Sequence, residues 1–213
     1  MNKTKIEWCD YTWNPIKGLC TIGCHYCYAR KFYKRFGWDE DIRFDYDVLH
    51  EPERIKKPSK IFVCSTMDVG CREVLITPGW ITLIGKIAKE CPRHTFIFLS
   101  KNSMEAYQFR HLPSNCWLGT TLDGVKGGTC YRSTENISFI NYEPLQNDSQ
   151  SYYCKYAMYG MDWVIVGGLT PKPIHKKEWV DDIIKEARRQ KIPIFLKDNL
   201  HYPKVIKEFP KSS

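Results

Sequence analysis

The chain has 213 residues, of which 43% are hydrophobic and 26% charged, and its 32 basic and 24 acidic residues give a net charge of +8. This composition excludes disordered and fibrous proteins, and the length suits one domain with a single core over residues 1–213. No apolar run approaches the roughly 20 residues of a membrane span, and the first residues are too charged for a signal peptide, so we expect a cytoplasmic protein without a membrane partner.

The first segment with a chemical pattern is the loop over residues 20–27, where Cys20, Cys24 and Cys27 follow the spacing Cys-x3-Cys-x2-Cys. In a cytoplasmic chain, clustered cysteines indicate metal or redox chemistry rather than disulfides. Iron–sulfur clusters are usually held by four thiolates. Three local thiolates therefore predict a [4Fe–4S] cluster with one iron open to a substrate, much as a catalytic zinc keeps one open position.

Two closed sites remain as alternatives for this loop. A structural zinc ion would need a fourth ligand, for which Cys9 or His25 is available. A closed, ferredoxin-like cluster would need Cys9 or a distant cysteine. Either closed site would fit a non-catalytic protein that binds nucleic acid.

The next segment, residues 30–36, interleaves four basic residues with three aromatic residues on a predicted helix. Positions 30 and 34, and 31 and 35, are four apart, so the charges share one broad face. Together with the net positive charge, this pattern favours an anionic partner, either a nucleic acid with stacked bases or a phosphorylated metabolite. A helix that packs its aromatic side chains inward and exposes its charges to water is the alternative, and the basic run over residues 54–60 has the same two interpretations.

From residue 60 onwards, short apolar runs alternate with amphipathic segments. The predicted strands cover residues 60–65, 95–100, 116–122, 137–142, 163–166 and 194–196. The predicted helices cover residues 80–91, 103–111 and 177–191, and the longest loops are 43–58 and 124–136. The alternation predicts an α/β fold with a parallel sheet that is covered on both faces. It does not distinguish an open sheet from a barrel, and in both architectures ligands gather at the carboxyl ends of the strands.

Polar residues stand at the ends of these predicted strands. In chain order they are Ser65, Thr66 and Asp68, then Lys101, Thr120 and Thr121, and finally Glu143 and Lys197. Serine, threonine and aspartate are also common helix caps, so a structural role accounts for some of them. It accounts less well for Lys101, Glu143 and Lys197, and both lysines could hold an anionic group of a substrate.

The cysteine spacing, with Tyr26 just before the last cysteine, resembles the signature of the radical S-adenosylmethionine superfamily. Further segments resemble an uncharacterised, often phage-associated branch with a three-cysteine motif. They are IEW at 6–8, TWNP at 12–15, FVCSTMD at 62–68, WLG at 117–119, EPL at 143–145, WVIVGG at 163–168 and IPIFLK at 192–197. The chain departs from that branch at Cys9, where threonine is usual, and at Leu169-Thr170, where glutamate and serine are usual.

The resemblance implies a partial (βα) barrel of about six parallel strands with outer helices. It also implies that Cys20, Cys24 and Cys27 bind three irons of a [4Fe–4S] cluster, and that S-adenosylmethionine chelates the fourth. One electron, from a donor such as flavodoxin or ferredoxin, would then cleave the cofactor into methionine and a 5′-deoxyadenosyl radical. That radical would take a hydrogen atom from a substrate, such as a nucleotide or nucleic acid.

The resemblance places Tyr26 against the adenine of the cofactor, and the position of each strand end suggests the other roles. Ser65, Thr66 and Asp68 would contact the methionine end, while Thr120, Thr121 and Glu143 would lie near the ribose or the substrate. Glu143 and Lys197 are the candidate catalytic residues. Cys64 and Cys116 fall within predicted strands and are expected in the core. Cys71, Cys130 and Cys154 lie in or near loops, and nothing in their spacing selects one for catalysis or for a second cluster.

Overall fold

A computed structural model describes residues 1–77, 79–102, 107–125 and 130–211 of the chain, with the side chains of residues 107 and 108 excepted. The chain forms two compact units. Unit 1 comprises Met1–Ser100 and Met104–Leu118, and unit 2 comprises Lys101–Ser103 and Gly119–Ser213. The single domain over residues 1–213 stays a prediction.

Strands and helices alternate along the described chain. The strands are β1 (Asn2–Lys3), β2 (Tyr11–Trp13), β3 (Ile16–Lys17), β4 (Arg43–Phe44), β5 (Lys60–Val63), β6 (Thr95–Ser100), β7 (Cys116–Thr121), β8 (Ser138–Leu145), β9 (Trp163–Gly168) and β10 (Ile194–Leu196). The α-helices are α1 (Tyr28–Phe36), α2 (Arg72–Leu75), α3 (Trp80–Glu90), α4 (Tyr107–Arg110), α5 (Ser149–Tyr152), α6 (Cys154–Ala157) and α7 (Lys177–Arg189). Strand β7 begins in unit 1 and ends in unit 2.

In unit 1 the strands follow the order β1-β2-β5-β6-β7, and β3 pairs separately with β4. Strand β2 pairs in parallel with β5, with Trp13 beside Val63, and β5 pairs in parallel with β6, with Ile61 beside Phe96. All four of these side chains are fully buried. Strand β1 is antiparallel to β2. Parallel strands that are buried in this way explain why the sequence shows apolar runs instead of alternating ones.

In unit 2, strands β8, β9 and β10 are parallel neighbours. Successive residues of a strand point to opposite faces. Residues such as Ile140 and Val164 pack on one face with Val180 and Ile183 of α7. Phe139 and Trp163 lie on the other face, with ring centroids 5.3 Å apart.

The α/β class and the mostly parallel pairing are confirmed, whereas closure into a partial barrel stays a prediction. Each predicted strand is present. The bounds of β6 and β10 are as predicted, the other four strands have shifted bounds, and the largest change is β8, which continues to Leu145. The helix predicted over residues 103–111 lies partly outside the described residues, and α4 covers Tyr107–Arg110. The long loop predicted over residues 43–58 contains β4 and two 3-10 helices, Tyr46–Val48 and Pro52–Arg54. Among the described residues, none of the helices combines the length and apolarity that crossing a membrane requires.

Candidate functional site

The three cysteines of the loop between β3 and α1 line one small pocket in unit 1. Cys20, Cys24 and Cys27 share its wall with Thr66, which follows β5, and with Arg30 of α1. Cys27 is also the residue that precedes the first turn of α1. The spacing predicted that these three thiols come together, and the fold places them together at the end of a parallel strand.

Backbone contacts to α1 hold this loop in place. The Arg30 guanidinium donates a hydrogen bond to the Cys20 carbonyl oxygen at 2.7 Å, and the Gly18 N–H donates to the Tyr33 hydroxyl oxygen at 2.9 Å. Gly18 has a φ of +115°, and a Cβ there would lie 2.6 Å from the carbonyl oxygen of Asp41. Only glycine fits this conformation, so a single residue type determines the path of the chain into the loop.

Burial raises the pKa of the Cys20 thiol to about 11. The negative charges of Asp68 and Cys71 add to this rise, while hydrogen bonds from the Asp68 and Ile22 backbones oppose it. Cys20 is therefore a protonated thiol at neutral pH, and a bound metal would have to displace its proton.

The cysteine pocket supports a preformed zinc site less well than it supports an iron–sulfur cluster. Within the described ranges, no group of three or more His, Cys, Asp or Glu side chains is arranged to hold a metal ion. Cysteines that each bind a different iron of one cluster need not converge on a single point, so this geometry bears on zinc more than on a cluster. Neither Cys9 nor His25, the two candidate fourth ligands, lines the pocket. Cys9 is buried, and its Sγ lies 3.9 Å from the Ile6 carbonyl oxygen.

The predicted cofactor residues after β5 have hydrogen-bond partners from other strand ends of unit 1. The Asn14 side-chain oxygen lies 3.2 Å from Ser65 Oγ and 3.4 Å from Thr66 Oγ1, both of which donate to it. Asp68 Oδ1 accepts from Ser100 Oγ at 2.6 Å. Of these residues, Thr66 is the one that also reaches the cysteine pocket. Sequence reasoning missed Asn14 as an organiser of this strand end, although it stands directly after β2.

Tyr26 and the adjoining aromatic residues border the cysteine loop. The Tyr26 ring lies edge-to-face with His25, with centroids 4.9 Å apart. Tyr28, the first residue of α1, donates its hydroxyl hydrogen to the Ser65 carbonyl oxygen at 2.6 Å. This bond joins α1 to the end of β5. The contact of Tyr26 with adenine stays a prediction.

Unit 2 has its own polar group at the carboxyl ends of β8 and β10. The Glu143 carboxylate forms an ion pair with the Lys197 ammonium group, and the two side chains are 23% and 16% exposed. The Lys197 backbone N–H donates to the Val166 carbonyl oxygen at 2.9 Å, which brings Lys197 beside β9. Asn141, two residues before Glu143 on the same face, donates from its amide to Glu143 Oε2 at 3.4 Å.

The Asn141 side chain leaves one hydrogen-bonding atom without a partner. Asn141 is 3% exposed, and its Oδ1 is buried with no hydrogen-bond partner among the described residues. A buried acceptor without a donor is costly, so this oxygen is suited to receive a hydrogen from a bound group. Nothing in the sequence singled out Asn141, because it lies inside a run that is typical of a core strand.

Both predicted anion-binding lysines of unit 2 are neutralised by carboxylates. Lys197 pairs with Glu143, and Lys101 lies 3.6 Å from Asp123. Thr120 and Thr121 are both buried at the end of β7, but consecutive strand residues point to opposite faces, so they cannot both lie on the Glu143 side. The strand ends of unit 2 therefore offer hydrogen-bonding groups with little net charge.

Gly167 of β9 provides the space that the Glu143 carboxylate occupies. A Cβ at position 167 would lie 2.7 Å from Glu143 Cδ. Gly167→Ala should therefore displace the carboxylate from Lys197 and lower the free energy of unfolding by about 1–3 kcal/mol, measured by urea denaturation. In a Glu143→Ala background the same substitution should cost little, because the atoms that it strikes are absent. Equal costs in the two backgrounds would contradict this account.

The comparisons with known proteins give one match. The model of a family described as a protein of unknown function (DUF5131) matches residues 3–211. No curated protein and no solved structure matches the chain.

Proposed function

Because this chain belongs to the DUF5131 family of proteins of unknown function, we propose its function from its own residues: it is a radical S-adenosylmethionine enzyme. The observation that carries the proposal is the pocket lined by Cys20, Cys24 and Cys27 with Thr66. Three thiols at a parallel strand end can hold a [4Fe–4S] cluster and leave one iron for a substrate. The partial barrel belongs to the same proposal, and the parallel pairs of β2 with β5 and of β5 with β6 support it.

The donor set fits such a cluster better than it fits a closed site. Three cysteines line the pocket, and neither Cys9 nor His25 adds a fourth ligand there. Cys20, Cys24 and Cys27 would hold the cluster, which together with S-adenosylmethionine would supply one-electron reductive chemistry, with the electron coming from a donor such as flavodoxin or ferredoxin. The protein's own share is to position the groups and to exclude water.

The roles of the chain's residues follow from their places. Cys20, Cys24 and Cys27 would bind three irons as thiolates, and Arg30 would hold the loop through the Cys20 carbonyl oxygen. Thr66 would contact the amino-acid end of S-adenosylmethionine with Ser65 and Asp68, and Tyr26 would cover its adenine. Ser65, Thr66 and Asp68 would have to exchange part of their present hydrogen bonds for bonds to the cofactor.

In unit 2, the proposal gives Glu143, Lys197 and Thr121 contact with the substrate. Thr121 lies on the same face of β7 as Gly119, which the Phe139 ring covers. The Lys197 ammonium group orients the Glu143 carboxylate. Asn141 Oδ1 would accept a hydrogen bond from the substrate. Such a set of groups would select a substrate by hydrogen bonds rather than by charge.

None of the ten cysteines is part of a disulfide bond. Free cysteines are typical of reducing compartments, which supports a cytoplasmic location as part of this proposal.

The decisive test of the proposal is the response of the protein to S-adenosylmethionine. In protein reconstituted without oxygen, the cofactor should change the electron paramagnetic resonance signal of the reduced protein, because one iron of the proposed cluster would be open to it. With dithionite, the protein should slowly form 5′-deoxyadenosine even without substrate. Protein with an intact cluster that responds to neither measurement would support the alternative, a closed structural site in a nucleic-acid-binding protein.

A further inference from the structure

Helix α1 carries a row of exposed aromatic side chains beside the cysteine loop. Tyr28, Phe32 and Phe36 are four residues apart and so share one face, and Trp38 follows the helix. Their exposed fractions are 49%, 39%, 55% and 44%, respectively. Large aromatic side chains are normally mostly buried, so four exposed neighbours indicate a binding surface. We call these four residues the aromatic row.

The aromatic row is not the face by which α1 packs against the rest of unit 1. That face is formed by Ala29 and Tyr33, which are buried. The interpretation in which all the aromatic residues of α1 pack inward is therefore wrong for Phe32 and Phe36. Centroid distances along the row are 5.8 Å from Tyr28 to Phe32 and 6.0 Å from Phe32 to Phe36. Phe36 and Trp38 are nearly parallel, at 5.6 Å and 25°.

A row of positive charge runs alongside the aromatic row. Lys31 and Arg35 are exposed, and each directly precedes an aromatic residue of the row, so the two charges lie on one side of it. The Arg35 guanidinium lies 5.3 Å from the centroid of Phe36. Residues 39–41, which follow Trp38, are all acidic. Their negative charge is partly neutralised, because Asp39 pairs with Arg43 at 2.7 Å.

We propose that the aromatic row, with Lys31 and Arg35, binds single-stranded nucleic acid as the substrate of the enzyme. The role of the nucleic acid as a substrate rests on the proposed function, and the inference adds the chemical class of that substrate. Unpaired bases stack on exposed aromatic faces, and phosphates contact the adjacent cations. The Tyr28 hydroxyl bond to Ser65 places the start of the row at the strand end that borders the cysteine pocket. A nucleic-acid strand that follows the row would thus be led towards that pocket.

The test measures the affinity for fluorescein-labelled single-stranded DNA and RNA of about 12 nucleotides by fluorescence anisotropy over a range of salt concentrations. Lys31→Gln/Arg35→Gln should reduce the slope of log affinity against log salt by about 1.4, roughly 0.7 for each phosphate that is no longer neutralised. Phe32→Leu/Phe36→Leu should weaken binding by about tenfold or more at an unchanged slope, because it removes flat faces and no charge.

Two matched variants serve as controls. Lys185→Gln/Lys191→Gln makes the same change in net charge at exposed positions of unit 2, and Tyr46→Leu removes an exposed ring outside the row. Both controls should bind as the wild type does. The inference is overturned if the wild type binds no single strand at low salt, if Lys185→Gln/Lys191→Gln flattens the slope equally, or if Phe32→Leu/Phe36→Leu weakens binding of an acidic flavodoxin and leaves oligonucleotide binding intact.

Cluster content and 5′-deoxyadenosine formation are measured on the same preparations. A protein that holds its cluster and cleaves S-adenosylmethionine but binds no oligonucleotide overturns this inference and leaves the proposed function standing. A protein that binds single strands through the row but holds no iron overturns the proposed function, and with it the role of the nucleic acid as a substrate.

Discussion

Replacing Cys20, Cys24 or Cys27 with alanine is expected to remove most of the iron from protein reconstituted without oxygen. In the proposed cluster site each thiolate would be one of three local ligands, and removing even an outer-shell partner of a metal site costs about 10–100-fold in metal affinity. Removing a direct ligand should cost more. Iron and sulfide assays with absorption spectra measure the effect.

Two further variants calibrate this result. Cys9→Ala should keep its iron, because Cys9 is buried and does not line the pocket. Arg30→Ala should fall in between, with about 10–100-fold weaker iron binding, because Arg30 would act on the proposed cluster through the Cys20 carbonyl oxygen and would not bind the metal itself. Stoichiometric zinc and no iron in wild-type protein prepared without oxygen would end the radical-enzyme proposal.

Breaking the ion pair between Glu143 and Lys197 is expected to destabilise unit 2. Glu143→Ala leaves a mostly buried ammonium group without its partner, and Lys197→Ala leaves the carboxylate. Each should lower the free energy of unfolding by about 2–4 kcal/mol, somewhat less than for a fully buried pair, because both side chains are partly exposed. The double variant should cost less than the sum, with a coupling of about 1–3 kcal/mol in urea denaturation.

A second ion pair provides the comparison. Lys177 and Asp181 form a well-exposed pair on α7. Lys177→Ala removes this pair but leaves the hydrogen bond from the Tyr202 hydroxyl to Asp181, so it should leave the urea midpoint nearly unchanged. The catalytic prediction for Glu143 is tested by Glu143→Gln, which keeps the shape of the side chain. If Glu143 contacts the substrate, this variant should remain folded and hold iron but turn over substrate more slowly. A fully active Glu143→Gln variant would make the pair purely structural.

The alternation of strands and helices was predictable from residue 60 onwards because each buried strand is a compact apolar run. Strands β1 to β4 were not predictable, since two or three residues carry no periodicity. The gathering of the three cysteines was predictable because their spacing is local. Glu143 could be singled out because it directly follows a predicted strand. Its pairing with Lys197 could not be predicted, because that pairing depends on the register of β8, β9 and β10.

Two asparagines mark the limit of sequence reasoning at the candidate site. Asn14 could not be predicted as the partner of Ser65 and Thr66, because each bond joins residues more than fifty positions apart. Asn141 could not be predicted as a buried acceptor without a donor, because that property depends on every neighbouring atom. The exposure of Phe32 and Phe36 was likewise undecided, since interleaved charges and rings suit both an inward and an outward aromatic face.

Because carboxylates pair with Lys101 and Lys197, the strand ends of unit 2 take little part in the long-range electrostatic attraction of a partner and would distinguish bound groups by short-range contacts. The net charge of +8 creates a field that draws in polyanions, and encounters driven by such a field slow as ionic strength rises. The strand ends of unit 2 contribute almost nothing to that field, so salt should hardly affect how they rank one candidate group against another. The rate of capture would therefore depend on ionic strength, whereas the selectivity among bound groups would depend on hydrogen-bond geometry.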